Sequence, residues 1–293
     1  MKRLIFLLIL LPLLLGGCST SSKQETVECT HSWSVCMLNP DFNTVSTDSD
    51  QIKVAILDSG INSNLEQLQD YVVKSFNTFD NSSTTTPIDG HGTMIASIVA
   101  STSHEGKLIG LNNHVELYDV QVLDEEGTGS IENTVAGIEW AIDQEVDLIN
   151  ISFGFSNDDE SIREAIKKAY DNDIIIVAAA GNTFGLTTEY PANYPEVLSI
   201  SAIDNEMKIF AYSGKGKVDY VAPGVNVSVL NINGELEHQS GTSLATAYAT
   251  GSISLLKLEM ENEDILKHLK KNSIELGSDD TYGEGLIQIG GEE

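Results

Sequence analysis

A three-layer α/β fold, with a mostly parallel central sheet covered by helices on both faces, is what this sequence predicts. Three observations lead there. Short, mostly apolar runs at 52–57, 117–123, 146–151, 174–179 and 197–201 suit buried strands. Helical spacings of apolar residues alternate with them, near 91–101, 131–142 and 160–170, and a longer one spans about 242–258. At 293 residues and 41% hydrophobic side chains, with no internal repeat, the chain can bury one large core. Ligands in such sheets bind at the carboxyl ends of the strands.

Residues 1–17 read as a signal peptide. Lys2 and Arg3 precede an apolar run at 4–15, short for a bilayer span but suited to a signal core. The run ends in Leu15-Gly16-Gly17-Cys18. This resembles the lipobox of bacterial lipoproteins, which implies cleavage before Cys18 and diacylation of its sulfur. The alternative is an ordinary secretory signal, but no alanine precedes Ala55 to form its usual cleavage site. The resemblance puts the chain on the extracytoplasmic side of a bacterial cell membrane, held by lipid.

Residues 18–50 read as the lipidated cysteine and a polar spacer. A flexible spacer of this length spans on the order of 30 Å. Cys29 and Cys36 either pair outside the cytoplasm or remain free thiols. A bridge over so short a loop contributes roughly 2–3 kcal/mol. It is expected to staple only the spacer and leave the body unaffected.

The body is expected over 51–290, with 283–289 as a final packed segment. Its polar surface is acidic: 44 Asp and Glu against 16 Lys and Arg give a net charge of -28. Such a surface repels nucleic acid and anionic headgroups and attracts basic peptides, although solubility alone is the simpler reading.

Four segments carry chemistry. Asp58 follows the first apolar run and precedes Ser59-Gly60-Ile61, where a carboxylate can orient a base. His91, in Asp89-Gly90-His91-Gly92-Thr93, has glycines on both sides that leave its ring unobstructed. Asn182 is the single amide after Val177-Ala178-Ala179-Ala180-Gly181, able to donate to a developing oxyanion. Ser243, in Gly241-Thr242-Ser243-Leu244-Ala245, opens an apolar helical run, where the helix dipole favours negative charge.

The order Asp, His, Asn, Ser, each in its own sharp context, resembles the subtilisin-like serine proteases, or subtilases. Asn150-Ile151-Ser152-Phe153-Gly154, Tyr190-Pro191-Ala192 and Ala222-Pro223-Gly224 are further look-alikes, and the likeness runs from about Gln51 to Gly290. The resemblance implies a subtilisin-like fold and a serine endopeptidase working through an acyl-enzyme on Ser243. His91 would be the base, Asp58 its orienter and Asn182 an oxyanion donor. Gly127-Thr128-Gly129 and Ser152-Phe153-Gly154 would flank an extended peptide. Ala180 and Gly181 would wall the primary specificity pocket. Glu189 would sit at its floor and favour Lys or Arg before the cut. Peptide or protein substrates and a monomeric enzyme follow from the same likeness, with the role open between leader removal and degradation of surface proteins.

Departures exist. Ala247 stands where the family commonly has proline, Met94 where it has a second histidine, and Ser97 where it has glycine. Gln67 and His104 stand where many relatives hold calcium, so that site looks lost and no metal ligand is assigned. No cofactor is required for the chemistry. The stretch before 51 is too short for a folding prodomain, so protein starting at Ser19 is expected to be active. Two other classes compete. A catalytically silent, protease-shaped binding protein usually loses one of Ser, His and Asp, and all three are present. A lipase or esterase places its serine first, within Gly-x-Ser-x-Gly, whereas here Ala245 fills the last glycine slot and the serine comes last.

Overall fold

Mostly apolar runs become the interior strands of a parallel sheet. The structure, a computed structural model, describes residues 29–39 and 51–290. The strands in chain order are β1 (Ile52–Asp58), β2 (Val72–Asn77), β3 (Ser103–His104), β4 (Lys107–Leu108), β5 (Val115–Gln121), β6 (Leu148–Ile151), β7 (Ile175–Ala179), β8 (Val197–Ile203), β9 (Tyr220–Pro223), β10 (Val227–Leu230) and β11 (Leu236–Gln239). The helices are α1 (Trp33–Leu38), α2 (His91–Val99), α3 (Ile131–Asp143), α4 (Glu160–Asp171), α5 (Thr242–Lys257), α6 (Asn262–Asn272) and α7 (Asp279–Tyr282).

Seven strands pair in the order β2-β5-β1-β6-β7-β8-β9. Every pairing among them is parallel. Alternation along β1 divides the core. Val54 and Ile56 face one side, with Ile98 of α2 and Tyr248 and Ile253 of α5. Ala55 and Leu57 face the other, with Ile138 of α3 and Ile166 of α4. Each such side chain, fully buried, contributes about 1.5–3 kcal/mol. The three layers expected from the sequence are therefore present. The chain leaves β1 for strands on one side of it and then crosses to β6 on the other, so the carboxyl ends of β1 and β6 flank a switch point.

Local chemistry explains the helix starts. Ser130 caps α3 through Asn133 N–H at 3.0 Å, and Asp159 caps α4 through Ser161 N–H at 2.8 Å. Helix α5 has no side-chain cap. Its alanines and Gly251 let it lie buried along nearly its whole length. The final segment packs as expected, with Leu286 and Ile287 fully buried and Ile287 N–H donating to Val221 O at 3.1 Å. Strand β9 was not expected, nor were strand β2 and helix α6. Strand β2 is a half-exposed edge strand that includes Lys74, and α6 is buried only at Ile265 and Leu269.

The reading of 18–50 as a spacer needs correction over 29–39, the part of it that is described. Cys29 and Cys36 are bridged. Between them starts α1, capped by Ser32, and its Val35 and Leu38 are buried in the main core. Ser34 Oγ donates to the Tyr248 hydroxyl of α5 at 2.6 Å, and that hydroxyl donates to Ile109 O at 3.0 Å. Ser32 N–H donates to Leu108 O at 3.0 Å, and Leu108 N–H to His31 Nδ1 at 3.1 Å. The physical reason is a short apolar helical stripe inside a polar stretch. The bridge thus staples a docked element, not a free linker. The signal peptide, Cys18 and the rest of the spacer lie outside the described residues. No described helix is long and apolar enough to cross a membrane.

Candidate active site

The residues singled out from the sequence converge at the carboxyl ends of the central strands. Asp58 is the last residue of β1 and is fully buried. Its main-chain oxygen accepts from Val122 and Leu123 N–H at 2.9 and 3.2 Å, and Ser59 N–H donates to its Oδ1 at 2.8 Å. These bonds leave the carboxylate no freedom to turn. His91 opens α2 after Gly90, which adopts a left-handed φ of 83° that a side chain would strain. The imidazole Nδ1 lies 2.9 and 3.0 Å from the two Asp58 oxygens. Its side chain keeps 26% exposure, so the far nitrogen can meet a ligand.

Burial alone would lower the His91 pKa. The Asp58 charge, the Asp58 hydrogen bond and the Asp89 charge outweigh it, and the net shift is upward. Asp89 also fixes the backbone. Its Oδ1 accepts from His91 N–H at 2.9 Å and from Ser59 Oγ at 2.5 Å. Sequence reasoning gave Ser59 and Asp89 no role, because a serine and an aspartate in a loop are ordinary until folding brings them together.

Ser243 is the second residue of α5, whose N-cap, Gly241, offers no side chain to the helix N–H groups. Its hydroxyl donates to Ser152 O at 2.7 Å, and Ser152 Oγ donates to Ser243 O at 3.2 Å. Behind them, Asn150 Nδ2 donates to Ser152 Oγ at 2.8 Å, and Thr250 Oγ1 to Asn150 Oδ1 at 2.9 Å. A buried polar chain therefore joins β6 to α5. Asn182 follows β7 and is exposed. Its Oδ1 accepts from Thr242 N–H at 3.3 Å and Thr242 Oγ1 at 3.2 Å, which turns Nδ2 toward Gly241.

The expected substrate edges flank this cluster. Gly129 bridges to Leu123, and Asp124 N–H donates to Thr128 O at 3.1 Å, so 123–129 is a tight loop. Gly127, at its tip, approaches the Asp89 carboxylate. Ser152, Phe153 and Gly154 leave the end of β6. Glu189 N–H donates to Ala180 O at 3.1 Å. A Cβ on Gly181 would stand 2.4 Å from Glu189 Oε2, and one on Gly154 would stand 3.0 Å from the same oxygen. The carboxylate is thus sandwiched between two bare glycines, and burial raises its pKa.

One acid near the site was overlooked. Asp119, on β5 opposite Ile56, is 1% exposed, accepts from the Thr85 hydroxyl and leaves Oδ1 without a hydrogen bond. Burial pushes its pKa up to about 7, with the nearby Asp58 charge adding to the rise. Gln121, next on the same strand face, holds Thr86 N–H at 2.9 Å and Thr86 O at 3.1 Å. The two side chains moor the loop that leads to His91.

Among the described residues no cluster of three His, Cys, Asp or Glu has metal-site geometry. His104 lies in the β3–β4 hairpin that pairs with residues 31–32, and neither it nor Gln67 supplies a carboxylate.

Comparison with known proteins returns the subtilase family, whose profile matches residues 49–285. The minor extracellular protease Epr of Bacillus subtilis is 31% identical over 245 residues, 81% of this chain and 38% of that protein. The thermostable alkaline protease of Halalkalibacterium halodurans is 31% identical over 278 residues, 92% of this chain and 75% of that one. Subtilisin Savinase of Lederbergia lenta is 32% identical over 245 residues, 80% of this chain and 88% of that one. The chain thus spans well under half of the first relative and most of the other two.

Proposed function

We propose that this chain, which belongs to the subtilase family and is a serine-type endopeptidase, works outside the cytoplasm from a lipid anchor on Cys18. The observation that carries the catalytic reading is the Asp58–His91 pair, 2.9 Å apart at the end of β1, whose neighbour β6 leads to Ser152, the residue bonded to Ser243. Asp58 on Nδ1 fixes the tautomer with its proton there, which leaves the Nε2 lone pair as the base. Rotation of the Ser243 side chain away from Ser152 O gives its proton to Nε2 as oxygen attacks the scissile carbonyl. The oxyanion that forms is held by Asn182 Nδ2 and main-chain N–H at the start of α5. His91 then protonates the leaving amine, and water releases the acyl group by the same steps in reverse.

The substrate is an extended peptide lying between 127–129 and 152–154. Glu189, between Gly154 and Gly181, favours Lys or Arg before the cut. Equal turnover of lysyl and phenylalanyl fluorogenic peptides would overturn this preference. The physiological role is maturation of a secreted peptide by leader removal, or degradation of surface proteins. An extracytoplasmic site agrees with a relative described as extracellular. A fluorophosphonate probe tests the chemistry. It should label the wild type at Ser243 and leave Ser243→Ala unlabelled. No labelling of the wild type would favour the silent binding protein.

A further inference from the structure

Beyond β9, where Leu286 bridges to Val221, the docked N-terminal segment leaves a groove of about 570 Å³. Trp33, Met37, Met207, Ile274 and the Cys29–Cys36 bridge line it. Met207 is 37% and Ile274 43% exposed. Among the described residues no Asp, Glu, Lys or Arg lines the groove, whose polar members are His31 and Asn205, in a chain whose charged residues make up 20% and whose net charge is -28. The nearest charges along the chain are Glu28, which precedes Cys29 and lies outside the described residues, Glu206 and Lys208, which pair with each other, and the exposed Glu275. Trp33 is held by its indole N–H, which donates to Asn226 O at 3.2 Å. A neutral window with a tryptophan on its wall suits the zone between lipid headgroups and acyl chains.

Chain length says what covers it. This step rests on the lipidation of Cys18 proposed above. Were the whole of 18–50 a tether, the body could stand on the order of 100 Å from its lipid. Docking of Cys29 onto the body removes most of that reach. Between Cys18 and Cys29 lie eleven peptide steps, at most about 40 Å when fully drawn out. The groove starts at Cys29 itself. A tether this short raises the effective concentration of the groove at the bilayer to the millimolar range, where a modest apolar contact persists. Acidic surface elsewhere is repelled by anionic headgroups, and this groove is the apolar face that lies beside the tether.

We propose that this groove rests on the lipid surface, holding the protease with the β9 edge of its sheet toward the bilayer and the β2 edge away from it. The enzyme then meets peptides as they emerge beside the membrane.

The two tryptophans provide the test. Trp33 lies in the groove, and Trp140 of α3 stacks on Phe76 of β2 at 5.3 Å, at the opposite edge. The full lipidated chain is extracted from membranes and reconstituted into phosphatidylcholine vesicles with and without brominated acyl chains. Mass spectrometry reads the acyl groups on Cys18. With Trp140→Phe, leaving Trp33 alone, emission should fall about twofold in brominated vesicles, the depth of an interfacial contact. With Trp33→Phe, leaving Trp140 alone, emission should not change. Met207→Asp combined with Ile274→Asp should restore Trp33 emission without changing turnover of a soluble peptide.

Diacylated protein with unquenched Trp33 overturns the inference and leaves the anchor standing. Unacylated protein overturns both. A detergent-solubilised dimer split by the same double substitution would assign the groove to a second copy and overturn the inference too.

Discussion

In the mechanism proposed above, protonation of His91 sets the acid limit of the reaction. As the base it must be neutral, and its pKa lies above the ordinary imidazole range because Asp58 and Asp89 outweigh burial. kcat/KM is therefore expected to fall with decreasing pH through a value above about 6.5. Asp58→Asn removes the charge that raises it. That variant should lose about 10⁴-fold in kcat and move its residual acid limb to lower pH, which a pH–rate profile on a peptide substrate checks. Asp119 gives a prediction of the opposite kind, in stability. Its folded carboxyl keeps a proton up to about pH 7, whereas the unfolded one releases it near 3.8. Between those values the folded state binds more protons, so stability falls as pH rises and changes no further above pH 7. Asn at 119 keeps an acceptor for Thr85 and never ionises. Asp119→Asn should therefore raise Tm relative to wild type at pH 8 and lose most of that advantage at pH 5; an unchanged difference would exclude a buried ionisation. At this scale Asp58, His91 and Ser243 could be singled out because each stands in a small-residue context that leaves it open to a partner. Asp119, Ser59 and Asp89 were not, since their importance comes from burial and bonds that no local pattern encodes.

Among the elements, α1 departs furthest from expectation. Its six residues could not form a stable helix alone. Leu38 and Val35 in the core, the Ser34–Tyr248 bond and the Cys29–Cys36 bridge hold it. Five of the seven strands of the sheet were readable because burial on both faces favours mostly apolar runs. Helix α1, β2 and β9 were not, since α1 is a six-residue apolar stripe inside a polar stretch, β2 is interrupted by Lys74 and Ser75, and β9 is four residues long. Tyr248 ties α1 to the helix that carries Ser243, so undocking should loosen the catalytic helix as well. Leu38→Ala is expected to cost about 2–5 kcal/mol, and reduction of the bridge to lower Tm further. Thermal unfolding with and without reductant, followed by residual activity, measures both. Had 18–50 been only a linker, neither change would move Tm.

For the molecule as a whole, the charge of -28 becomes functional only if part of it faces the cleft. Asp124, Glu125 and Glu126 precede the 127–129 edge, and Glu125 and Glu126 are exposed. Asp89 lies against Gly127, and Glu189 stands on the far side. The rim on which a peptide is laid is thus acidic along two borders. Field from such a rim adds to the attraction of the whole surface and raises the encounter rate of cationic peptides. Screening decides whether this matters. The Debye length is about 10 Å at 0.1 M and about 3 Å at 1 M, so steering fades over that range while chemistry in the buried triad does not. kcat/KM for a lysine-rich peptide should fall severalfold between low and high salt, with kcat nearly constant. A neutral peptide of the same length should show no such slope. Glu125→Gln with Glu126→Gln should flatten the slope for the lysine-rich peptide, since the local field, not the remote charge, dominates at contact distance. Equal slopes for both peptides would assign the acidic surface to solubility alone.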